Sequence, residues 1–255
     1  MPATEPPFDL LAQRADLLRA VRGEATPKPE LAAALSVSRS TVDRAVRDLE
    51  ASGLVERDGG VSLTLKGRLA LDSYETFAAH LRDLNATESA LDTLPDDARV
   101  DRALLRDATV VEATPVAPQR ATEAYRSLVA DATRVRGYAS ALLDGNVQTF
   151  RERIVEDGLE ADLVLDPDVL DALVGAHGSA VADARDTGRL TMLEATDELA
   201  YSLMLVETPA TTHACALFYD ESGHTGLVRN DSREAVEWAE AVYDELRVAA
   251  DLLPE

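Results

Sequence analysis

Lysine is almost absent from this chain of 255 residues, occurring only as Lys28 and Lys66. Cysteine is rarer still. The single Cys215 excludes an intramolecular disulfide framework and fits a reducing cytosol. Aromatic residues make up 4% of the chain. No run of about 18 apolar residues occurs, so no membrane-spanning helix is expected. The opening MPATEPPFDLL lacks a basic region followed by an apolar stretch, so no signal peptide is expected and the localisation read from the sequence is cytoplasmic. Walker and dinucleotide glycine motifs are missing as well. The four histidines, His80, His177, His213 and His224, are scattered. Only His213 and Cys215, two apart on a predicted strand, share a side, and a core cysteine beside a surface histidine explains that pair better than a metal edge. The phrase GAHGSA lacks the Gly-x-Ser-x-Gly spacing of a nucleophile elbow and follows no strand. No enzyme, metal or cofactor is therefore expected.

Apolar residues make up 46% of the sequence, enough to bury a core. Aspartate and glutamate total 47 against 25 lysines and arginines, for a net charge of −22. Abundant Asp, Ala and Val with little Lys resemble the composition of proteins from extreme halophiles, whose carboxylate surfaces stay hydrated at high salt. An ordinary acidic protein from an arginine-rich proteome is the alternative. The charge is unevenly placed. Residues 1–80 hold ten basic and twelve acidic residues, whereas residues 81–255 hold fifteen and thirty-five. A nearly neutral first segment joined to an acidic remainder points to different partners at the two ends.

In the first segment, Leu10, Leu11, Leu17, Leu18 and Val21 recur at helical spacing up to Gly23. Pro27 and Pro29 suit the first turn of a short second helix. Ser38 is placed to cap a third, on which Val42, Ala45, Val46 and Leu49 line one face. Ser40, Asp43, Arg44 and Arg47 repeat that spacing two residues out of phase, about 200° around the helix, and so point outward. Arg39 and Thr41 flank them. GLVERDGGVSLT then reads as a hairpin, with one strand over Leu54–Arg57, a turn at Asp58-Gly59, and Val61, Leu63 and Leu65 on one face of the return strand.

This order of elements, with the phrase LEASGLVER before a glycine-rich wing, resembles archaeal and bacterial winged helix-turn-helix regulators over about residues 8–70. The resemblance implies an α+β DNA-binding domain and double-stranded promoter DNA as partner. Arg44 and Arg47 are the candidates for base or phosphate contact, since arginine bonds guanine O6 and N7 as a fork. Ser40 and Thr41, with Arg39 beside them, are candidates near the helix start, Arg57 at the wing, and Lys66 and Arg68 on the backbone. A solvated face of intrahelical ion pairs such as Asp43–Arg47, or a winged helix that docks protein, would account for the same residues. Each phosphate contact weakens as salt rises, and in molar salt the Debye length is about 3 Å, so close fit is expected to outweigh net charge.

Residues 71–100 are expected to form a linking helix. Phe77, Leu81, Leu84 and Leu91 follow a four-three spacing that Glu88 interrupts. That seam suits a homodimer whose symmetry sets half-site spacing, or packing against the chain's own second domain.

From about residue 101 to 255, strands alternate with helices, as expected of an α/β domain with a mixed sheet that is parallel in its first half and antiparallel later. The phrases VVEATPVAPQRA, RVRGYAS, GLEADLVLDPDVLDAL and LVRNDSREAVEWAEAVYDEL resemble the sensor domain of winged-helix regulators named for a methanogenesis regulatory protein. The resemblance implies a one-chain transcription factor whose second domain is related in architecture to phospholipase D-like and sugar-sensing domains. Phospholipase D chemistry needs a histidine with a lysine two residues on, and no lysine follows Lys66. A ligand pocket, if built at the carboxyl ends of the parallel strands, would draw on Arg136, Tyr138, Ser140, Asp166 and Glu198 and take a small anionic or sugar-like metabolite. In a rival reading the protein binds DNA constitutively and the second domain only dimerises.

Overall fold

The computed structural model describes residues 8–142, 144–220 and 223–252. The chain divides into two compact units between Leu81 and Arg82.

The first unit contains α1 (Phe8–Ala20), α2 (Lys28–Ala34), α3 (Arg39–Ala51), β1 (Val55–Arg57), β2 (Val61–Leu63) and the start of α4 (Leu65–Ala86). Pro27 caps α2, and Pro29 occupies its first turn, where no amide hydrogen is required. Ser36 turns the chain from α2 to α3 through the left-handed region, at φ 53°. Ser38 then starts α3, its hydroxyl accepting from the Thr41 amide at 3.2 Å. The buried face of α3 is Val42, Ala45, Val46 and Leu49, as its spacing requires. With Leu18, Leu31, Leu54, Val61 and Leu71 they form one core. Full burial of a side chain such as Leu49 contributes about 1.5–3 kcal/mol. The segment before α2 joins the hairpin through Thr26, which exchanges both backbone hydrogen bonds with Val61 at 2.9 Å.

The hairpin is shorter than its apolar alternation suggests. Its return strand stops at Leu63, because the Thr64 hydroxyl accepts from the Gly67 amide at 3.0 Å and starts α4. Leu65 is therefore helical and 64% exposed, not a third member of the face with Val61 and Leu63. Gly67 has a steric reason: a Cβ there would lie 1.8 Å from the Leu54 carbonyl oxygen. The expected seam also breaks. At Thr87 the backbone leaves helical geometry, and its buried hydroxyl donates to the Asp83 carbonyl at 3.0 Å. Glu88 and Leu91 belong to a separate one-turn helix, α5 (Glu88–Leu91), with Leu91 packed on the second unit's core. Phe77, Leu81 and Leu84 stay exposed on α4.

The second unit continues with α6 (Arg102–Leu105), β3 (Thr109–Glu112), α7 (Arg120–Ala130), β4 (Arg134–Ala139), α8 (Asp144–Glu156), β5 (Glu160–Leu165), α9 (Pro167–Asp186), β6 (Leu190–Glu194), β7 (Ser202–Glu207), β8 (Thr212–Asp220), β9 (Gly223–Asn230), α10 (Arg233–Ala249) and β10 (Asp251–Leu252). They build an eight-stranded mixed sheet in the order β10-β6-β5-β4-β7-β8-β9-β3. Among the described strands only β4, β5 and β6 are parallel neighbours. β6 belongs to the parallel set, because the 20-residue α9 supplies a crossover before it. One strand departs from the expected arrangement: β3 lies at the far edge, antiparallel to β9. A four-residue strand with exposed Thr109 and Glu112 suits an edge better than a centre buried on both faces. α9 is a kinked helix, with non-helical backbone angles at His177.

Both faces of the sheet are covered. Residues of α7, α8 and α9 pack on one, around Val135, Leu165, Val206 and Leu217. Residues of α5, α6 and α10 pack on the other, around Tyr138, Val164, Leu203 and Phe218. Buried Asn230 ties α6 to the second face. Its amide donates to the carbonyls of Leu104 at 3.0 Å and Arg106 at 2.7 Å, while its Oδ1 accepts from the Ser232 amide at 2.8 Å. No described helix is long and apolar enough to cross a membrane.

Candidate functional site

On the first unit, Arg39, Ser40, Thr41, Arg44 and Arg47 all stand exposed on α3. The apolar face of that helix fixes their direction. Ser40 and Thr41 are drawn together by the cap, each 2.8 Å from the Ser38 hydroxyl. Asp43 does not pair with Arg47. Lys28, on α2, reaches it at 2.6 Å, and that hydrogen bond holds the Asp43 carboxyl below its ordinary value. Arg47 instead donates from Nε to the Asp43 carbonyl at 3.2 Å, keeping its guanidinium free of carboxylates. Arg57 pairs with Glu50 at 2.5 Å. Lys66 donates to the Ser52 carbonyl at 2.7 Å, at the C-terminal end of α3, where a cation is favoured.

The distribution of partners is informative. Arg14, Arg19, Arg22, Lys28 and Arg57 each meet a carboxylate. Among the described residues, Arg39, Arg44, Arg47, Lys66 and Arg68 of the first unit meet none. They cluster on α3 and on the first turn of α4, in a chain with a large excess of carboxylates.

The five residues expected to form a ligand site separate into three places. Tyr138, Asp166 and Glu198 come together on the second face of the sheet. The Tyr138 hydroxyl donates to Asp166 at 3.4 Å, and Asp166 caps α9 through the Asp168 amide at 2.9 Å. Burial, with the two nearby carboxylates adding to it, pushes the Tyr138 phenol up to about 12. Ser140 is elsewhere, its amide donating to the Ser202 hydroxyl at 2.9 Å. Arg136 is bound by Glu207 and Glu240, both at 2.9 Å, and lies over the Tyr243 ring. Burial works against its charge, but the hydrogen bonds it donates to Glu240 and Glu207, with their negative charges, outweigh that and raise it. Strand alternation puts Arg134 on the same side, beside Glu160 at 3.8 Å. Arg136 bridges two carboxylates and Arg134 pairs with one, so neither is a free cation.

An apolar cavity of the second unit is on the other face. It has a volume of about 120 Å³ between the sheet and α7, α8 and α9, walled by Phe150, Leu163, Val181, Met192 and Met204 among others. Its polar groups come from Tyr125, Asn146, Ser202 and Tyr219, with Arg151 also in the lining. None of these was singled out by the sequence. Tyr125 and Tyr219 read as ordinary apolar-face residues, and a cavity between a strand set and a kinked helix leaves no periodic signal. Cys215 is buried under the same face, and burial pushes its thiol up to about 12, which keeps it protonated and inert. Among the described residues no group of three or more His, Cys, Asp or Glu side chains is placed to hold a metal ion; the His224 side chain lies outside them.

Two family models match the chain. Residues 118–249 match the middle domain of the methanogenesis regulatory protein FilR1, and residues 9–86 match the HVO_A0261 N-terminal domain. No protein among the curated ones matches in sequence. Among solved structures, the chain is similar to TrmBL2, described as an archaeal chromatin protein with a novel mode of DNA binding. The identity is 14%, covering 96% of this chain and 98% of that one, with a TM-score of 0.45. It is also similar to NucT from Helicobacter pylori, at 8% identity over 57% of this chain and 98% of that one, with a TM-score of 0.43. Overlaps this loose carry no functional conclusion. The FilR1 model spans half the chain and covers strands β4 to β9 and the helices that wall the cavity, and by that match this protein belongs to the regulator family of the FilR1 middle domain.

Proposed function

We propose that the protein is a transcription regulator that binds double-stranded promoter DNA through a winged helix-turn-helix formed by residues 8–70. In this reading α3 is the recognition helix and the β1–β2 hairpin is the wing. Residues 71–100 link it to a sensor domain over 101–255. The observation that carries the reading is the set of carboxylate-free cations, Arg39, Arg44, Arg47, Lys66 and Arg68, on α3 and the start of α4. In a chain so rich in acid, guanidinium groups left without carboxylate partners suit an external polyanion. Arg44 and Arg47 contact bases or phosphates, Ser40 and Thr41 the groups near the helix start, and Lys66 and Arg68 the backbone. Arg57 reaches DNA only by giving up Glu50.

The protein acts as a dimer in this reading. The apolar residues Phe77, Leu81 and Leu84 face outward from α4, and Phe8 extends the patch by packing edge-on to Phe77 with ring centroids 5.4 Å apart. A second copy of the same helix would cover it symmetrically. A cytoplasmic, high-salt setting fits the acidic surface.

Fluorescence anisotropy on DNA from upstream of the protein's own coding region, in roughly molar KCl, tests the reading. The wild type is expected to bind a footprint-sized site, and the Arg44→Ala/Arg47→Ala variant to bind about tenfold more weakly or worse. Equal binding by both proteins would overturn it and leave α3 a solvated face. Sedimentation of Leu81→Glu tests the dimer, with a shift to monomer expected.

A further inference from the structure

The cavity against α7, α8 and α9 contains a group that the folded chain leaves unsatisfied. Tyr125 is 2% exposed, lines the cavity, and its hydroxyl has no hydrogen-bond partner. The Oδ1 of Asn146, also in the lining, is buried and unpartnered too. A buried polar atom without a partner costs about 1–3 kcal/mol, so a protein that retains one has a reason to do so. The neighbouring polar groups are already engaged: Ser202 binds the Ser140 amide, and Tyr219 shares a hydrogen bond with Ser202.

Water is a poor tenant. It needs two to four polar partners, and with Ser202 and Tyr219 engaged those left in the lining are Tyr125 and Asn146, in a wall that is mostly Leu, Val, Met, Ile and Phe. A charged ligand is equally ill suited. The one cation in the lining, Arg151, is held by Asp183 at 2.7 Å, a pair that ties α8 to α9. Burial also holds the Tyr125 phenol well above its ordinary value, so it remains a neutral donor. The volume, about 120 Å³, is on the scale of engineered apolar cavities of ~150 Å³ that accept benzene. α9 borders it on both sides of its kink, through Val169 and Leu173 before His177 and Val181 and Ala184 after it.

We propose that this cavity is a binding site for a small neutral molecule with an apolar body of about one ring and an oxygen that accepts a hydrogen bond from Tyr125. The site deepens the sensor reading given above and replaces an anionic effector with a neutral, apolar one. It is tested by direct binding, so its failure is separable from a failure to bind DNA.

Isothermal titration calorimetry of the full chain with phenol and with toluene makes the test. Wild-type protein is expected to bind both saturably, with phenol about three- to tenfold tighter, the worth of one hydrogen bond. Tyr125→Phe removes an unpartnered hydroxyl and so keeps the fold. It is expected to bind toluene as before and to lose the preference for phenol. Ala184→Phe, which fills the cavity, is expected to bind neither. The proposal is overturned if the wild type shows no saturable binding, if binding survives Ala184→Phe, or if the phenol preference survives Tyr125→Phe.

Discussion

The two faces of the eight-stranded sheet each carry a hydrophobic core but finish their tyrosine hydroxyls differently. On the face under α10, every buried tyrosine hydroxyl has an acceptor. Tyr201 donates to the Arg99 carbonyl, Tyr243 to the Asp162 carbonyl at 3.2 Å, and Tyr138 to Asp166. Tyr201 and Phe218 also stack at 5.6 Å. On the face under α8 and α9, Tyr125 has no acceptor and a cavity remains beside it. The α10 side is thus closed at its tyrosines, although Asp162 Oδ1 stays buried there without a partner, and the other side is left incomplete at Tyr125. The position of that incompleteness, not the fold as a whole, directs attention to a ligand.

Substitutions can break or sharpen this contrast. The largest effect is expected from Phe218→Ala on the closed face, a loss of about 3–5 kcal/mol by urea denaturation, against about 2 kcal/mol for Leu173→Ala beside the existing void. Enlargement should discriminate next. Ala216→Leu has no room and costs about 1–3 kcal/mol, whereas Ala184→Leu grows into the cavity and costs less than about 1 kcal/mol. Equal costs would mean the two faces are equally packed.

Alkali offers a third comparison. Cys215 on the cavity face is raised from 9.0 to about 12 by burial, and Tyr138 on the closed face from 10.0 to about 12. A raised acid stays protonated in the folded chain, so its contribution is intact below its unfolded value and is lost as pH climbs through the folded one. The urea midpoint should begin to fall near pH 9 in the wild type and near pH 10 in Cys215→Ala. An unchanged onset would remove the thiol from the account. The smallest effects concern single hydroxyls. Tyr243→Phe should cost about 1 kcal/mol, because it breaks a bond, whereas Tyr125→Phe should stabilise the chain by about 1 kcal/mol, because it removes a buried hydroxyl that has no partner.

The elements of the first unit were legible because their signals are local. The Ser38 cap, the buried face of α3 and the Asp58-Gly59 turn each depend on neighbours within a few positions. Legibility failed where long-range partners decide. Leu65 and Leu91 continue an apolar spacing, yet the Thr64 hydroxyl and the break at Thr87 place both in other elements. The side of the sheet on which β3 lies depends on β9, more than a hundred residues away. The same limit holds for the sites. The outward set on α3 follows from helical phase alone. The fate of Arg136 required knowing that Glu207 and Glu240 converge on it, and the orphaned Tyr125 hydroxyl can be recognised only by what fails to reach it.

The edges of the sheet have a consequence for how copies of this protein behave when crowded. An acidic protein normally keeps its copies apart by repulsion, but in molar salt that force dies away within about 3 Å. What remains is geometry. One edge ends in β10, two residues long, and the other in β3, four residues long and carrying an exposed Glu112. Among the described residues both outermost strands are short, which limits the free backbone that either presents to another chain's strand. That protection is geometric, so it persists at salt concentrations where repulsion between charges is screened away.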